Sequence, residues 1–315
     1  MKPKVSFSTL SCPDWSFQQL VENGTAYGYD GVEIRLLQRQ TDLLAHPDFQ
    51  PSQLETRCRE LSDAGFAIAG LASSVSFDNP DANVRADQIE TGERYLDLAK
   101  TLGADFIRVF GDVLQPTASG SVPLDKVSPE QRRTTIAQVA DGLQTLGEYA
   151  EPLGLNVLIE THGDYSNSAV VLETLEAVES SAVGVLWDTH HPWRFCGEKL
   201  PTTFDRLRRW VRSTHWKDSV ERPESTATKD AGQDAAAQAA HSLMTGHQHA
   251  DYVLFRGGEF PAAQCMWLLR NADYDGWFCY EWEKIWHPEL EEPELALPLF
   301  PSKIHELWTL VDDRR

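Results

Sequence analysis

Carboxylate and imidazole side chains follow four short apolar stretches of the chain. The clearest stretch is VGVLWDTHHPW, whose apolar residues begin at Val183 and stop at Asp188. Three other β-rich stretches end in the same way, which are NVLIE at Glu160, VRSTH at His215 and WFCYE at Glu281. Strands that end on metal-binding or proton-transferring groups are typical of enzymes whose active site lies at the carboxyl ends of a sheet. The four polar residues are therefore candidate site residues.

Three carboxylates and one imidazole would form a set of mostly oxygen donors if these side chains met. Three negative charges held together without a cation are costly, because each carboxylate raises the pKa of the others and disfavours their ionisation. A divalent ion removes that conflict. Oxygen-rich ligation favours Mn²⁺ or Mg²⁺, and the histidine also permits Co²⁺ or Zn²⁺. The alternative is four unrelated polar residues, each of which caps a helix or pairs with a basic group.

The spacing of these residues matches a repeating unit of one strand and one helix. Glu160 and Asp188 are 28 residues apart, and Asp188 and His215 are 27 residues apart. About 31 residues per unit are expected when about 250 residues are divided among eight βα units. The longer interval up to Glu281 holds one such unit and an insertion at about 218–251. We therefore predict an α/β chain that forms one domain, a (β/α)8 TIM barrel over residues 1–315.

Eight strands and their helices follow from the apolar periodicity. The predicted strands cover residues 5–10, 31–35, 66–74, 105–110, 156–160, 183–186, 211–216 and 276–281. The predicted helices start after Ser16, at Ser52 and after Ser128, or cover about 82–102, 203–210, 261–271 and 302–310. The carboxyl ends of barrel strands open on one mouth, so the four candidate residues are expected to meet there. A doubly wound sheet is the alternative fold, but it needs a glycine-rich turn after the first strand, and residues 8–14 have none.

Composition disfavours several classes of function. The chain has 48 acidic and 28 basic residues and a formal net charge of −20, which disfavours binding to nucleic acid. It has no apolar run long enough to span a bilayer and no apolar secretory segment at its start, so we expect a cytoplasmic protein without a membrane partner. The five cysteines are scattered and never form a CxxC pair, which argues against a disulfide framework or a cysteine zinc site.

The insertion at about 218–251 is rich in alanine and contains three histidines. We predict that it forms a lid-like segment, part of it helical. Two of its histidines, His247 and His249, form an H-x-H pair that would suit a second metal ion. A role in the loop or lid is favoured over metal ligation for this pair.

Five motifs together resemble one known family. They are GYDGVEIR at 28–35, IETHGD at 159–164, WDTHH at 187–191, HWKD at 215–218 and GWFCYEWEKIWHPELEEPELAL at 276–297. In this order and at these strand ends, they resemble the xylose isomerase-like TIM-barrel superfamily, especially its sugar phosphate isomerases and epimerases. The resemblance covers nearly the whole chain. It implies that the metal ligands are Glu160, Asp188, His215 and Glu281, and that His191 contacts a substrate hydroxyl.

The resemblance also implies a mechanism. A metal ion that holds the carbonyl oxygen and the neighbouring hydroxyl of a substrate would stabilise the enediolate that forms when the α proton leaves. Glu160 and Glu281, on opposite sides of the substrate, would act as base and acid. We therefore expect a metal-dependent isomerase or epimerase of carbohydrate metabolism, acting on a ketose or related keto-polyol. Many relatives assemble as dimers or tetramers, so a homo-oligomer is compatible with the resemblance.

Three other functions stay open at this point. The same metal and enediolate would serve a dehydratase or lyase that acts on a keto-inositol, a dehydroshikimate-like compound or an oxidised glycoside. A non-catalytic sugar-binding barrel is a second alternative. The third is an endonuclease IV-like phosphodiesterase, whose extra histidines at strands three and four are here replaced by Ser73-Ser74 and Phe110-Gly111.

Four further residues are candidates for substrate binding. His162 lies two residues after Glu160, hence on the same face of the extended chain, where it would hold a sugar hydroxyl or serve as a buried hydrogen-bonded histidine. Arg108 lies inside the fourth strand and would meet a substrate carboxylate or phosphate, although pairing with a glutamate such as Glu33 is favoured. Lys284 would reach the substrate or cap its strand. Trp193 offers an aromatic face that suits the C–H face of a sugar.

Overall fold

Eight parallel strands close into a barrel in the computed structural model, which describes residues 2–117, 120–221 and 250–312. Each strand pairs with its sequence neighbours, and the first strand pairs with the last. The strands are β1 Lys4–Ser8, β2 Gly31–Ile34, β3 Ala67–Ser76, β4 Phe106–Phe110, β5 Asn156–Glu160, β6 Val183–Asp188, β7 Val211–Trp216 and β8 Trp277–Tyr280. The predicted TIM barrel is thus confirmed, and the doubly wound alternative is excluded.

Helices surround the barrel. They are α1 Phe17–Tyr27, α2 Pro51–Ala64, α3 Ala82–Leu102, α4 Pro129–Ala150, α5 Ser168–Leu175, α6 His191–Phe195, α7 Leu200–Leu207, α8 Ala262–Asn271, α9 Pro293–Ala296 and α10 Leu299–Asp312. Short 3-10 segments cover Thr9–Ser11, Leu43–Ala45, Pro47–Phe49, Leu124–Lys126, Glu151–Leu153 and Gly163–Ser166, and Pro116–Thr117 pairs with Gly120–Ser121. Within the described parts of the chain, none of the helices is long and apolar enough to span a membrane.

Local capping explains where several helices begin and end. The Ser16 side chain accepts from the backbone N–H of Gln19, and the Gln19 side chain accepts from the backbone N–H of Ser16, which completes the expected capping box of α1. Gly28 then ends this helix with a φ of 86°, a conformation that glycine adopts without steric cost. The Ser128 side chain likewise caps α4. The sequence signals and the structure agree at these positions.

Some predicted boundaries are wrong. Helix α2 begins at Pro51 rather than Ser52, because proline at the first helical position needs no hydrogen-bond acceptor. The helix placed at about 203–210 is α7, and it starts and ends three residues earlier. Strand β3 continues to Ser76. Helix α5, at Ser168–Leu175, was not predicted.

The predicted insertion begins and ends in a two-stranded antiparallel ribbon outside the barrel. Asp218–Glu221 pairs with Ala250–Val253 in this ribbon. The predicted lid, its helical part and the histidines at 241, 247 and 249 lie outside the described residues. The described ends of the insertion are therefore held next to the carboxyl end of β7.

An apolar layer lies inside the barrel beneath the polar residues of the mouth. Its members are Ala69, Phe106, Leu158, Leu186 and Trp277. Three of them precede a polar residue by two positions on the same strand, and the polar residues are Arg108, Glu160 and Asp188. Residues two apart in a strand share a face, so the barrel interior changes from apolar to charged toward the carboxyl ends of its strands. This arrangement places the charged groups at the mouth.

Candidate active site

The four predicted residues come together at the mouth of the barrel. Glu160 and Asp188 are the last residues of β5 and β6, His215 lies in β7, and Glu281 directly follows β8. One oxygen or nitrogen from each lies within 4.8 Å of the corresponding atoms of the other three. All four residues are buried, and the most exposed, Glu281, is 5% exposed. Closure of the barrel therefore joins residues that are 121 positions apart in the sequence.

The imidazole of His215 lies at the centre of this group. Its Nδ1 is 3.4 Å from Oε1 of Glu160 and 3.2 Å from Oε1 of Glu281. On the other side of the ring, Nε2 is 2.9 and 3.1 Å from the two carboxylate oxygens of Glu33. Burial alone would lower the pKa of His215, but Glu281 and Glu33 outweigh it and hold that pKa well above its usual range.

Each of the two glutamates has a cation of its own. Nε of Arg108 lies 3.1 Å from Oε2 of Glu160, and Nζ of Lys217 contacts Oε2 of Glu281. Burial would raise the pKa of Glu160, but Arg108 and His215 lower it below its usual value. Burial is likewise outweighed at Glu281, where His215 and Lys217 hold the pKa well below its usual value. Both glutamates are therefore ionised, one beside a guanidinium and the other beside an ammonium.

Lys217 is a buried cation of the site that was not predicted from the sequence. Its Nζ lies 2.9 Å from Oδ2 of Asp188, 2.7 Å from Oε1 of Glu283 and 3.1 Å from Nε2 of His191. Burial would lower the pKa of Lys217, but the neighbouring carboxylates hold it well above its usual range. The HWKD motif contained the relevant signal, because Lys217 lies two residues after His215 on the same face of the extended chain.

Like His215, Asp188 is fully buried. Burial raises its pKa to about 7, although the ammonium of Lys217 acts in the opposite direction. Its Oδ1 accepts hydrogen bonds from the backbone N–H groups of His190 and His191, at 2.8 and 2.9 Å. These bonds hold the carboxylate at the start of α6 through Oδ1. The other oxygen, Oδ2, faces Lys217.

Two basic residues have partners other than those named in the prediction. Arg108 pairs with a glutamate, as favoured, but with Glu160 rather than Glu33, because Glu33 is already paired with His215. Lys284 bonds to Leu290 O at 2.5 Å, to Pro288 O at 2.8 Å and to the Glu292 carboxylate at 2.9 Å. The proline-rich segment after β8 folds back and supplies these acceptors. The ammonium of Lys284 therefore stabilises that loop.

The remaining candidates lie at different distances from the group of four residues. His191 is buried beside the group, with Nδ1 3.0 Å from the carbonyl oxygen of Thr161. His162 lies farther out, where its Nδ1 is 3.2 Å from Oδ1 of Asp112 and its ring is 5.7 Å from that of His191. Trp193 packs against His190, with ring centroids 5.6 Å apart, and lines a cavity of about 480 Å³ beside α6 and α7. The structure thus brings His191 to the group, His162 to its edge, and Trp193 to a neighbouring cavity.

The donor set fits a divalent ion. Nδ1 of His215 and Oδ2 of Asp188 are both buried, and neither makes a hydrogen bond of normal geometry among the described residues, although Lys217 pairs with Oδ2 and two glutamate oxygens lie within 3.4 Å of Nδ1. A metal ion would give both atoms a ligand contact and would offset the charge of the three carboxylates. Because Nε2 of His215 faces Glu33, its Nδ1 is the nitrogen that would bind the ion. Glu160, Asp188, His215 and Glu281 would then supply three oxygen ligands and one nitrogen ligand.

Comparison with known proteins places this arrangement among similar barrels. A family model described as xylose isomerase-like TIM barrel matches residues 21–297. The chain is 23% identical over 286 residues to the inosose dehydratase of Bacillus thuringiensis (strain Al Hakam), an alignment that covers 90% of this chain and 85% of the relative.

Solved structures share the fold at low sequence identity. The probable 3-DHS dehydratase AsbF of Bacillus anthracis has a TM-score of 0.64 at 18% identity and covers 100% of both chains. L-ribulose 3-epimerase has a TM-score of 0.70 at 14% identity, with 99% of this chain and 96% of that chain covered. A Mycobacterium smegmatis xylose isomerase-like barrel in complex with magnesium has a TM-score of 0.66 at 15% identity, with 99% and 98% covered. Dehydratases and epimerases are thus both similar to this chain.

Proposed function

Because the chain belongs to the xylose isomerase-like TIM barrel family, we propose that it is a divalent-metal-dependent enzyme that removes the proton next to the carbonyl group of a ketose or related keto-polyol. The observation that carries this proposal is the buried group of Glu160, Asp188, His215 and Glu281. Its oxygen-rich donors favour Mn²⁺ or Mg²⁺, with Co²⁺ or Zn²⁺ as alternatives. When bound, such an ion would polarise the substrate carbonyl and stabilise the charge of the enediolate.

The two glutamates have different partners, and this difference supports different roles for them. Glu160 lies beside Arg108, and a guanidinium does not lose its proton in proteins. Glu160 is therefore kept as a carboxylate that can accept the α proton. Glu281 lies beside Lys217, whose ammonium carries protons that can be passed on. The Glu281 and Lys217 pair is the proton-donating side of the site.

Isomerisation or epimerisation uses this pair to return one proton to the enediolate. Glu160 takes the proton from the carbon next to the carbonyl, and the electron pair of the broken C–H bond moves into the enediolate. Lys217 passes a proton to the Glu281 carboxylate, which delivers it to carbon from the opposite side, and solvent then takes the proton from Glu160 and returns one to Lys217. The product has the same mass as the substrate and differs in the position of the carbonyl group or in configuration.

Dehydration is the second candidate, and Lys217 is the observation that favours it. A dehydratase must protonate a departing hydroxyl group as well as accept the α proton. The Lys217 ammonium is buried between Asp188, Glu281 and His191, close enough to the group to protonate such a hydroxyl. The C–O bond would break with its electron pair, and the proton from Lys217 would complete a water molecule. The 23% identical relative named inosose dehydratase supports the same outcome.

Solvent deuterium exchange tests the shared step. The Mn²⁺-loaded protein is incubated in D₂O with ketoses, a keto-inositol and a dehydroshikimate-like compound, and products are followed by NMR and mass spectrometry. We expect exchange at the carbon next to the carbonyl in the wild type and its loss in Glu160→Gln. Exchange that persists in both Glu160→Gln and Glu281→Gln would defeat the proposal. A product of unchanged mass indicates an isomerase or epimerase, and loss of one water indicates a dehydratase.

Two other functions have less support. An endonuclease IV-like site would need further histidines near the carboxyl ends of β3 and β4, where the sequence has Ser73-Ser74 and Phe110-Gly111 instead. A non-catalytic sugar-binding barrel would not need two glutamates that are each paired with a different cation. If metal removal left polyol binding unchanged and no deuterium exchange occurred with any substrate, the non-catalytic function would be preferred.

A further inference from the structure

One guanidinium at the mouth has a nitrogen that is left unused. Arg35 directly follows β2, and its Nη2 donates to Oγ of Ser74 at 2.9 Å. Its Nη1 is buried and has no hydrogen-bond acceptor among the described residues. Burying a charged donor without a partner is costly, so such an atom points to an absent acceptor.

A second guanidinium lies beside the first. Nη1 of Arg108 donates to the carbonyl oxygen of Ser73 at 2.9 Å, and Ser73 and Ser74 are consecutive residues of β3. Arg35 and Arg108 therefore flank the same point of β3, one from the side of β2 and the other from the side of β4. Burial and the charge of Arg108 lower the pKa of Arg35 to about 10. Arg35 is still a cation at neutral pH, so two like charges lie next to each other.

This arginine pair adjoins the candidate metal ligands. Nε of Arg108 contacts Glu160, which belongs to the group of four. The carboxylates of Glu160 and Glu281 also act electrostatically on Arg35. The arginine pair therefore lies on the Glu160 side of the group of four.

We propose that Arg35, supported by Arg108, is a subsite for a carboxylate group of the substrate. This inference rests on the proposed function and narrows it, because it makes the substrate an acidic keto-polyol rather than a neutral one. A guanidinium matches the planar shape of a carboxylate.

A phosphate group fits this subsite less well than a carboxylate. A phosphate usually collects several backbone N–H donors from a glycine-rich turn. The sequence has one glycine pair with an arginine neighbour, at residues 256–258. There the N–H of Gly258 already donates to Asp218 at 3.1 Å. A single unused guanidinium nitrogen is suited to a monoanion, which favours the carboxylate.

The test compares stable polyols that differ in charge and need no turnover. Quinate, a cyclohexane polyol with a carboxylate, and myo-inositol, a neutral one, are titrated calorimetrically into the Mn²⁺-loaded protein, with inorganic phosphate as a third probe. The variant Arg35→Met keeps the aliphatic stem but removes the guanidinium. The control is Arg212→Met, at the opposite end of the barrel, where Nη1 of Arg212 bonds to the carbonyl oxygens of Arg209 and Val211.

We expect the wild type and Arg212→Met to bind quinate about tenfold or more tightly than myo-inositol, and Arg35→Met to lose that preference. Equal binding of the two polyols, binding of neither, or a quinate preference that survives in Arg35→Met would overturn the subsite. Phosphate binding that depends on Arg35 without quinate binding would overturn the carboxylate assignment. The deuterium exchange experiment is independent of these outcomes. Exchange on neutral keto-polyols together with no role for Arg35 would reject the subsite and leave the proposed function standing.

Discussion

The Nε2 side of the His215 ring faces the carboxylate of Glu33, with Nε2 2.9 Å from Oε1 and 3.1 Å from Oε2. Both residues are buried, and Glu33 comes from β2, three strands away from β7 around the barrel. A carboxylate that accepts from one imidazole nitrogen fixes the tautomer and turns the other nitrogen toward a metal ion. Glu33 thus orients His215 although it is not one of the four candidate ligands.

Replacing Glu33 with glutamine should weaken metal binding. A neutral amide can present its NH₂ group to Nε2, which would place the proton on the Nδ1 side of His215 and block ligation there. We expect the dissociation constant for Mn²⁺ to rise by about 10- to 100-fold, measured by calorimetry on the apoprotein. The control is Glu198→Gln, which alters a carboxylate bound by Ser168 and Thr203 instead.

The stoichiometry in that titration is also informative. We expect one ion per chain in the wild type. Glu33, His215 and Cys279 form another group that could hold an ion, so a second ion that binds the wild type and is lost in Glu33→Gln would show that Glu33 is itself a ligand. Unchanged affinity in Glu33→Gln would equally reject its orienting role.

Lys217 should matter for the proton-donating half of the reaction. We expect Lys217→Met to lower the rate of product formation by about 10²- to 10⁴-fold, because the donor behind Glu281 is lost. Exchange of the α proton should persist, because Glu160 and Arg108 are untouched. NMR in D₂O measures both processes on one sample. The matched control is Lys284→Met, because the ammonium of Lys284 bonds to the loop after β8. Equal losses in both lysine variants would refute the assignment.

Arg108 should contribute to stability as well as to function. It is buried with Glu160, and removal of one partner would leave the other as an uncompensated charge. Arg108→Met should therefore lower the free energy of unfolding of the apoprotein by about 3 kcal/mol, measured by urea denaturation. Arg39→Met is the comparison, because Arg39 pairs with Asp14 at the exposed surface and should cost less than about 1 kcal/mol. Similar small losses in both variants would show that Glu160 does not depend on Arg108.

The sequence predicted the barrel and the meeting of its four residues for one physical reason. Apolar strands that end on polar groups, spaced at the length of a βα unit, identify strand ends, and barrel closure brings those ends together. The bounds of β5 and β7 were predicted to the residue, at Asn156–Glu160 and Val211–Trp216.

Partner choice inside the barrel could not be predicted in the same way. Glu33 and Glu160 both face the interior, and only closure determines that Arg108 meets Glu160 while His215 meets Glu33. Lys217 has the sequence environment of an exposed lysine at a strand end, and its burial depends on three distant carboxylates. The acceptors of Lys284 were not predicted, because they belong to a loop that folds back on it.

Anomalous diffraction from crystals soaked with Mn²⁺ tests the central claim most directly, because it locates the ion without reference to activity. We predict one strong peak at the barrel mouth, about 2.0–2.3 Å from a carboxylate oxygen of each of Glu160, Asp188 and Glu281 and from Nδ1 of His215. A saturating soak that gives no peak there, or a peak that two of these residues do not touch, would contradict the account.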